Sequence, residues 1–144
     1  MNAALSIAIA LATVALCTTI HYETVGLLDR RLRARSGSLR RHVPAVVVCV
    51  IAVHLLEVLL FAFAFWLVAT RLDAGAFASA TPSSPRDFVA LAAESYTSFG
   101  YGDIVPSGWL RFVVSLAPIN GLLLIAWSGA FLYGAVHQRP ADSG

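Results

Sequence analysis

The sequence contains no lysine and few charged residues of any kind. Acidic and basic residues make up 12% of its 144 residues, whereas hydrophobic residues make up 58%. In an ordinary soluble domain about a quarter of the residues are charged and about half are apolar. The low charge therefore excludes a typical soluble domain and predicts an integral membrane protein.

Cysteine is also scarce, and its positions exclude the usual cysteine chemistry. Cys17 and Cys49 lie inside apolar stretches, where cysteine behaves as a small buried hydrophobic residue. The sequence also lacks the spacing of a zinc finger, a glycine-rich nucleotide-binding loop and the nucleophile turn of hydrolases. We therefore expect no enzyme activity, no catalytic residue and no organic cofactor.

All ten basic residues are arginine, and six of them cluster in residues 29–42. Arginine is enriched in cytoplasmic loops of membrane proteins, so this segment is predicted to be an inside loop. A voltage sensor would need regularly spaced arginines within an apolar span, and a nucleic-acid surface does not fit a connector between apolar spans. Anionic lipid headgroups are the expected partners. The six residues are Arg30, Arg31, Arg33, Arg35, Arg40 and Arg41.

Three apolar segments of membrane-spanning length are predicted to be transmembrane helices. The first covers residues 1–28, and because no basic residue precedes it, a retained anchor is favoured over a cleaved signal peptide. The second covers residues 43–70 and the third residues 109–136, with an outer loop at 71–84. With the arginine loop inside, the amino terminus lies outside and the tail, residues 137–144, is cytoplasmic. The lysine-free composition suggests a bacterial inner (plasma) membrane.

Residues 85–97 have helical character but are too short to cross a membrane. Ser84 is a predicted N-cap and Pro85 a predicted first helical residue. A helix of this length covers about 18 Å, which fits a re-entrant helix that enters from the outside. Irregular backbone at membrane depth is tolerated only where protein buries it or where it lines a watery cavity.

Residues 98–103 follow this helix within the stretch E-S-Y-T-S-F-G-Y-G-D-I-V-P. Gly100 and Gly102 tolerate positive φ, which allows successive carbonyl oxygens to face the same side of an extended strand. Four such strands around an axis would form oxygen rings that replace the hydration shell of a cation. The predicted carbonyl ligands are Ser98, Phe99, Gly100 and Tyr101.

This segment resembles the potassium-channel signature T-V-G-Y-G-D. The match is direct from Gly100 to Asp103, with Ser98 at the threonine and Phe99 at the valine. The resemblance covers residues 43–136 and implies two helices with a pore loop between them, to which the first helix is an addition. It implies an all-α membrane protein with a pore helix and a selectivity-filter strand, assembled as a homotetramer that conducts K⁺ passively.

The resemblance also assigns roles around the filter and leaves alternatives. Some family members carry a glutamate four residues before the threonine position, where this chain has Glu94. The resemblance implies that Glu94 and Asp103 brace the filter and make it pH-dependent. The alternative is that Glu94 is a solvated residue at the outer mouth. Ser98 and Phe99 depart from the usual pattern, so a weakly selective Na⁺/K⁺ channel is the second interpretation. A non-conducting scaffold or metal-binding protein is the third.

The third transmembrane segment contains a predicted hinge. Pro118 should bend the helix because proline removes a hydrogen bond and clashes with the preceding turn. Asn120 and Gly121 follow at once. We expect Gly121 to be the flexible point of a gate-bearing helix, with Asn120 facing the cavity or supporting the filter from behind.

Four ionisable residues lie inside the predicted spans: His21, Glu23, His54 and Glu57. Ionisable groups are costly at this depth and are therefore interpreted as functional. The first helix is expected to pack on the second through them. A hydrogen-bonded latch, a proton sensor that adjusts the pore, and a His/Glu transition-metal site all fit the sequence.

Overall fold

A computed structural model describes residues 2–34, 42–100 and 102–137 of the chain. Within these ranges the protein contains four helices and no β-strand, so the predicted all-α fold class is confirmed. Tyr101 and residues 138–144 lie outside the described residues. The helices are α1 (Asn2–Arg33), α2 (Val43–Thr70), α3 (Pro85–Tyr96) and α4 (Gly108–His137).

Three of these helices are long and apolar enough to cross a membrane. α1, α2 and α4 contain 32, 28 and 30 residues, whereas a hydrocarbon core requires about 20 helical residues. The chain is therefore a multi-pass membrane protein, as its composition predicts. α3 contains only 12 residues and is too short to cross.

α1 continues beyond Leu28, where the first segment was expected to end. Arg33 donates from Nε to Asp29 Oδ2 at 2.8 Å, one helical turn earlier. Cations in the last turn also interact favourably with the helix dipole. The start of the predicted inside loop is therefore helical, whereas Arg35, Arg40 and Arg41 lie outside the described residues.

α1 packs along α2 and α4 through a narrow stripe. The buried residues recur every three or four positions, and those in its first half are small. Small residues allow membrane helices to approach closely, which increases their van der Waals contact. The stripe consists of Ser6, Ala10, Thr13, Cys17, His21, Val25, Leu28 and Leu32.

α3 begins with the predicted cap. Ser84 is the N-cap and Pro85 the first helical residue. Asp87 Oδ2 accepts hydrogen bonds from the Ser83 amide at 2.6 Å, the Ser83 hydroxyl at 3.0 Å and the Ser84 amide at 2.9 Å. These bonds, with that from the Ser83 amide the largest contribution, lower the pKa of Asp87 below its usual value.

The other end of α3 is buried between α2 and α4. Tyr96 contacts Gly121 of α4 so closely that a Cβ at Gly121 would lie 2.9 Å from the Tyr96 carbonyl carbon and 3.0 Å from its ring Cδ1. Phe61 and Phe65 of α2 complete the core around this point. Pro118 lies inside α4, which continues through it.

The outer loop is hydrogen-bonded to the segment that precedes α4. The amides of Ala78 and Ala80 donate to the carbonyls of Val105 and Asp103 at 2.8 and 3.1 Å. Ser107 donates to the Ala76 carbonyl from both its amide and its hydroxyl. The predicted outer loop is therefore held by hydrogen bonds to residues 103, 105 and 107.

Candidate functional site

The glycine segment, residues 98–103, begins where α3 ends, and its backbone turns sharply there. The amides of Phe99 and Gly100 both donate to the Glu94 carbonyl, at 2.9 and 3.3 Å. Ser98 has φ 58° and Gly100 has φ 111°. At Gly100 this conformation is one that favours glycine over any residue with a side chain.

The carbonyl oxygens of this turn accept no hydrogen bond from the described part of the chain. Among the described residues, no donor reaches the carbonyl oxygens of residues 97–100. Phe99 is 88% exposed. Tyr101, the last predicted carbonyl ligand, lies outside the described residues. The segment thus presents free backbone oxygens and an uncovered aromatic ring at the end of the short helix α3.

Glu94 contacts the glycine segment, but through a different partner from the one expected. Its Oε2 accepts a hydrogen bond from the Gly102 amide at 3.1 Å. No hydrogen bond joins the Glu94 and Asp103 carboxylates within the part of the chain that the structure describes. Asp103 instead accepts through its backbone oxygen from the Ser79 hydroxyl and the Ala80 amide. Glu94 can therefore brace the far end of the segment without sharing a proton with Asp103.

The predicted hinge residues of α4 face other helices. Asn120 is buried and its Oδ1 accepts from the Thr18 hydroxyl of α1 at 3.2 Å, so it contacts the first helix; its role at the cavity or behind the filter stays a prediction. Gly121 contacts Tyr96. Close packing against Tyr96 is thus one reason for glycine at this position. The hinge is a second possible reason and stays a prediction.

Three of the four intramembrane ionisable residues meet in one buried cluster. Glu57 accepts on Oε1 from His21 Nδ1 and on Oε2 from His54 Nδ1, each at 3.0 Å. His21 and Glu57 are 0% exposed, and His54 is 18% exposed on its side chain. The ligand atoms of the three side chains all lie within 4.8 Å of one another.

Two further residues complete the cluster, and the sequence did not reveal them. The Tyr96 hydroxyl donates to Glu57 Oε2 and lies 2.9 Å from His54 Nδ1. Ser128 Oγ lies 3.0 Å from His54 Nε2 and 3.2 Å from His21 Nε2. Every helix therefore contributes a side chain. Ser128 could have been noticed in the sequence as a polar residue within an apolar span. Its partners could not be predicted, because they depend on long-range packing.

Glu23 does not join this cluster and is exposed. Two residues along a helix correspond to a rotation of about 200°, so Glu23 and His21 lie on nearly opposite faces of α1. Glu23 instead lines a groove between α1 and α4 with Tyr22, Arg30 and Trp127. The expectation that both residues of this pair contact α2 is wrong for Glu23.

Comparison with family models gives one match. The model described as "Ion channel" matches residues 48–136, more than half of the chain. The matched region begins within α2 and ends near the end of α4, so it contains α3 and the glycine segment but not α1. Comparisons with curated proteins and with solved structures found no match.

Proposed function

Because the chain belongs to the ion channel family, we propose that four copies assemble into a channel that conducts potassium ions passively. The free carbonyl oxygens of residues 97–100 carry this proposal. Unpaired backbone at membrane depth is costly unless it lines a watery cavity or coordinates an ion. The K⁺ ligands are the carbonyl oxygens of Ser98, Phe99, Gly100 and Tyr101, with Gly102 following them.

A tetramer is proposed because one chain cannot form a selectivity filter alone. A single chain supplies one filter strand, whereas rings of carbonyl oxygens need several strands around an axis. The 88% exposure of Phe99 supports this assembly, because a large aromatic ring at membrane depth finds packing partners in neighbouring copies. α3 acts as the pore helix, and the negative end of its dipole favours a cation in the central cavity.

The pore domain covers residues 43–136, and α4 lines the cavity. A hinge at Pro118 and Gly121 lets its inner half move as a gate. α1 is an addition that packs on the outside of this domain through α2 and α4.

The proposed orientation in the membrane follows from the positions of the arginine residues. Arg30, Arg31 and Arg33 lie in the last turn of α1, so this end is cytoplasmic by the positive-inside rule and the amino terminus is outside. The groove between α1 and α4, of about 500 Å³, is lined by Arg30 and Arg33 beside Trp127. Anionic lipid headgroups of a plasma membrane are proposed to bind there and modulate the channel.

Outer pH is a further proposed modulator, and Glu94 is the residue through which it acts. Its carboxylate accepts from the Gly102 amide, and hydrogen bonds to ionised groups are stronger than those to neutral ones. The Glu94 carboxylate would therefore hold the outer end of the filter.

Flux into liposomes tests the proposal. Purified protein is reconstituted, and K⁺ and Na⁺ uptake are measured with and without barium. In Gly100→Ala, the new Cβ meets no heavy atom within 4 Å, but φ 111° strains any L-residue. Gly129→Ala is the matched control, because its Cβ also meets nothing within 4 Å and φ there is not positive.

Barium-sensitive K⁺ flux that is lost in Gly100→Ala and kept in Gly129→Ala supports the potassium channel. Equal K⁺ and Na⁺ flux would replace it with the weakly selective cation channel, since Ser98 and Phe99 depart from the usual filter. No flux from a folded tetramer would favour the scaffold.

A further inference from the structure

We propose that His21, His54 and Glu57, with Tyr96 as fourth ligand, bind one divalent transition-metal ion of the zinc type. The site lies inside the chain, where α1, α2, α3 and α4 meet. It is separate from the glycine segment and does not depend on whether the protein conducts potassium.

Several distances between the donor atoms are close to those of a tetrahedral site. Zinc binds histidine nitrogen and carboxylate oxygen at about 2.0–2.2 Å, so neighbouring ligand atoms lie about 3.3 Å apart. In the cluster, both histidine Nδ1 atoms lie 3.0 Å from a Glu57 oxygen. The Tyr96 hydroxyl lies 2.9 Å from His54 Nδ1. The ligand atoms of His21, His54 and Glu57 all lie within 4.8 Å of one another, so side-chain adjustment on metal binding would gather them and the Tyr96 hydroxyl around one ion.

The chemistry of the donors selects the class of ion. Two imidazoles with one carboxylate and one phenol give two nitrogen and two oxygen ligands. Imidazole suits zinc and its neighbours in the first transition row, whereas magnesium and calcium prefer sites made of oxygen alone. A zinc-type ion is therefore the expected occupant.

Ser128 is placed to support both histidines in a metal site. When both Nδ1 atoms of neutral imidazoles donate to Glu57, both Nε2 atoms are acceptors, and one serine hydroxyl proton can serve only one of them. When a metal holds both Nδ1 atoms, both Nε2 atoms carry protons instead. Ser128 Oγ, 3.0 and 3.2 Å away, has two lone pairs and accepts from both.

Charge balance also fits. Glu57 is the one carboxylate in the cluster, so a divalent ion leaves a net charge of +1 with neutral histidines. Glu57 and Tyr96 are buried, at 0% and 1% exposure, so a cation beside the Glu57 carboxylate would offset the cost of burying its charge.

Metal binding to detergent-purified, chelator-treated protein tests the proposal without measuring flux. Zinc is added, excess ion is removed by gel filtration, and zinc per chain is measured by mass spectrometry. Cobalt(II) then reports the coordination geometry through its visible absorption. We expect one ion per chain, a tetrahedral cobalt spectrum and a Tm that rises with zinc in the wild-type protein.

Variants locate the ion. His54→Gln and Glu57→Gln remove a ligand and should abolish stoichiometric binding, and Ser128→Ala should weaken it about 10- to 100-fold. His137→Gln and Glu23→Gln make the same chemical changes at exposed positions of α4 and α1 and should bind like wild type.

Three results would overturn the proposal. Wild-type protein that holds less than one zinc per chain and shows no Tm rise would leave a cluster held by protons alone. Binding that persists in both ligand variants, or that disappears in His137→Gln, would place the ion on the surface. The zinc content of the wild-type protein tests the proposal by itself, so the test remains valid even if a ligand variant fails to fold.

Discussion

Gly121→Ala tests the packing between α4 and α3 most directly. The new Cβ would lie 2.9 Å from the Tyr96 carbonyl carbon and nearer still to its oxygen. A backbone carbonyl cannot rotate away as a flexible side chain can, so α4 or the end of α3 must shift. Gly129→Ala places the same methyl group in the same helix, where nothing lies within 4 Å.

The comparison of these two variants isolates the steric effect. Alanine has a helix propensity better than that of glycine by up to about 1 kcal/mol, and this gain cancels because both positions are helical. Overpacking a closely packed site costs about 1–3 kcal/mol. We expect Gly121→Ala to have a free energy of unfolding lower than that of Gly129→Ala by this amount.

Denaturant titration of each variant in detergent, followed by tryptophan fluorescence, measures the difference. Equal stability of the two variants would refute the close approach of α4 and Tyr96. Flux should fall in Gly121→Ala even if no hinge exists, since the displaced Tyr96 precedes the proposed filter. Loss of flux in this variant alone is therefore not a test of the hinge.

Three further predictions concern the outer half of the protein. Glu94→Gln should weaken the bond to the Gly102 amide by about 1 kcal/mol, which lowers barium-sensitive K⁺ flux about fivefold; flux equal to that of wild type would contradict this role. Asp87→Ala should lower Tm at neutral pH. The lowered pKa of Asp87 gives stability that is present above about pH 4 and is lost as pH falls through the folded-state pKa. A Tm difference between the variant and wild type that persists at lower pH would contradict this role. Phe99→Val should raise the K⁺/Na⁺ flux ratio by restoring a β-branched residue with a restricted rotamer, and an unchanged ratio would show that the exposed ring does not affect selectivity.

The membrane helices and the cap of α3 were predictable from sequence because their signals are local. An apolar run of sufficient length is visible without knowledge of its neighbours. Ser84 before Pro85 likewise depends on a few adjacent residues. These features were confirmed by the structure.

The contacts between helices were harder to predict. His54 and Glu57 lie on one face of α2 by spacing alone, but Tyr96 and Ser128 join them only through the packing of α3 and α4. Glu23 was assigned to this group by proximity in sequence, although rotation along α1 carries it to the other face. Side-chain partners depend on helix rotation, which apolar composition does not specify.

The backbone hydrogen bonds between the outer loop and residues 103–107 have a consequence for reagents that bind this loop. Ala78 and Ala80 are bonded to Val105 and Asp103, and Gly102 next to them is bonded to Glu94. A nanobody or toxin that pulls on the loop would therefore transmit force to the proposed filter through three successive contacts. Such a reagent could alter ion flow without occupying the conduction path.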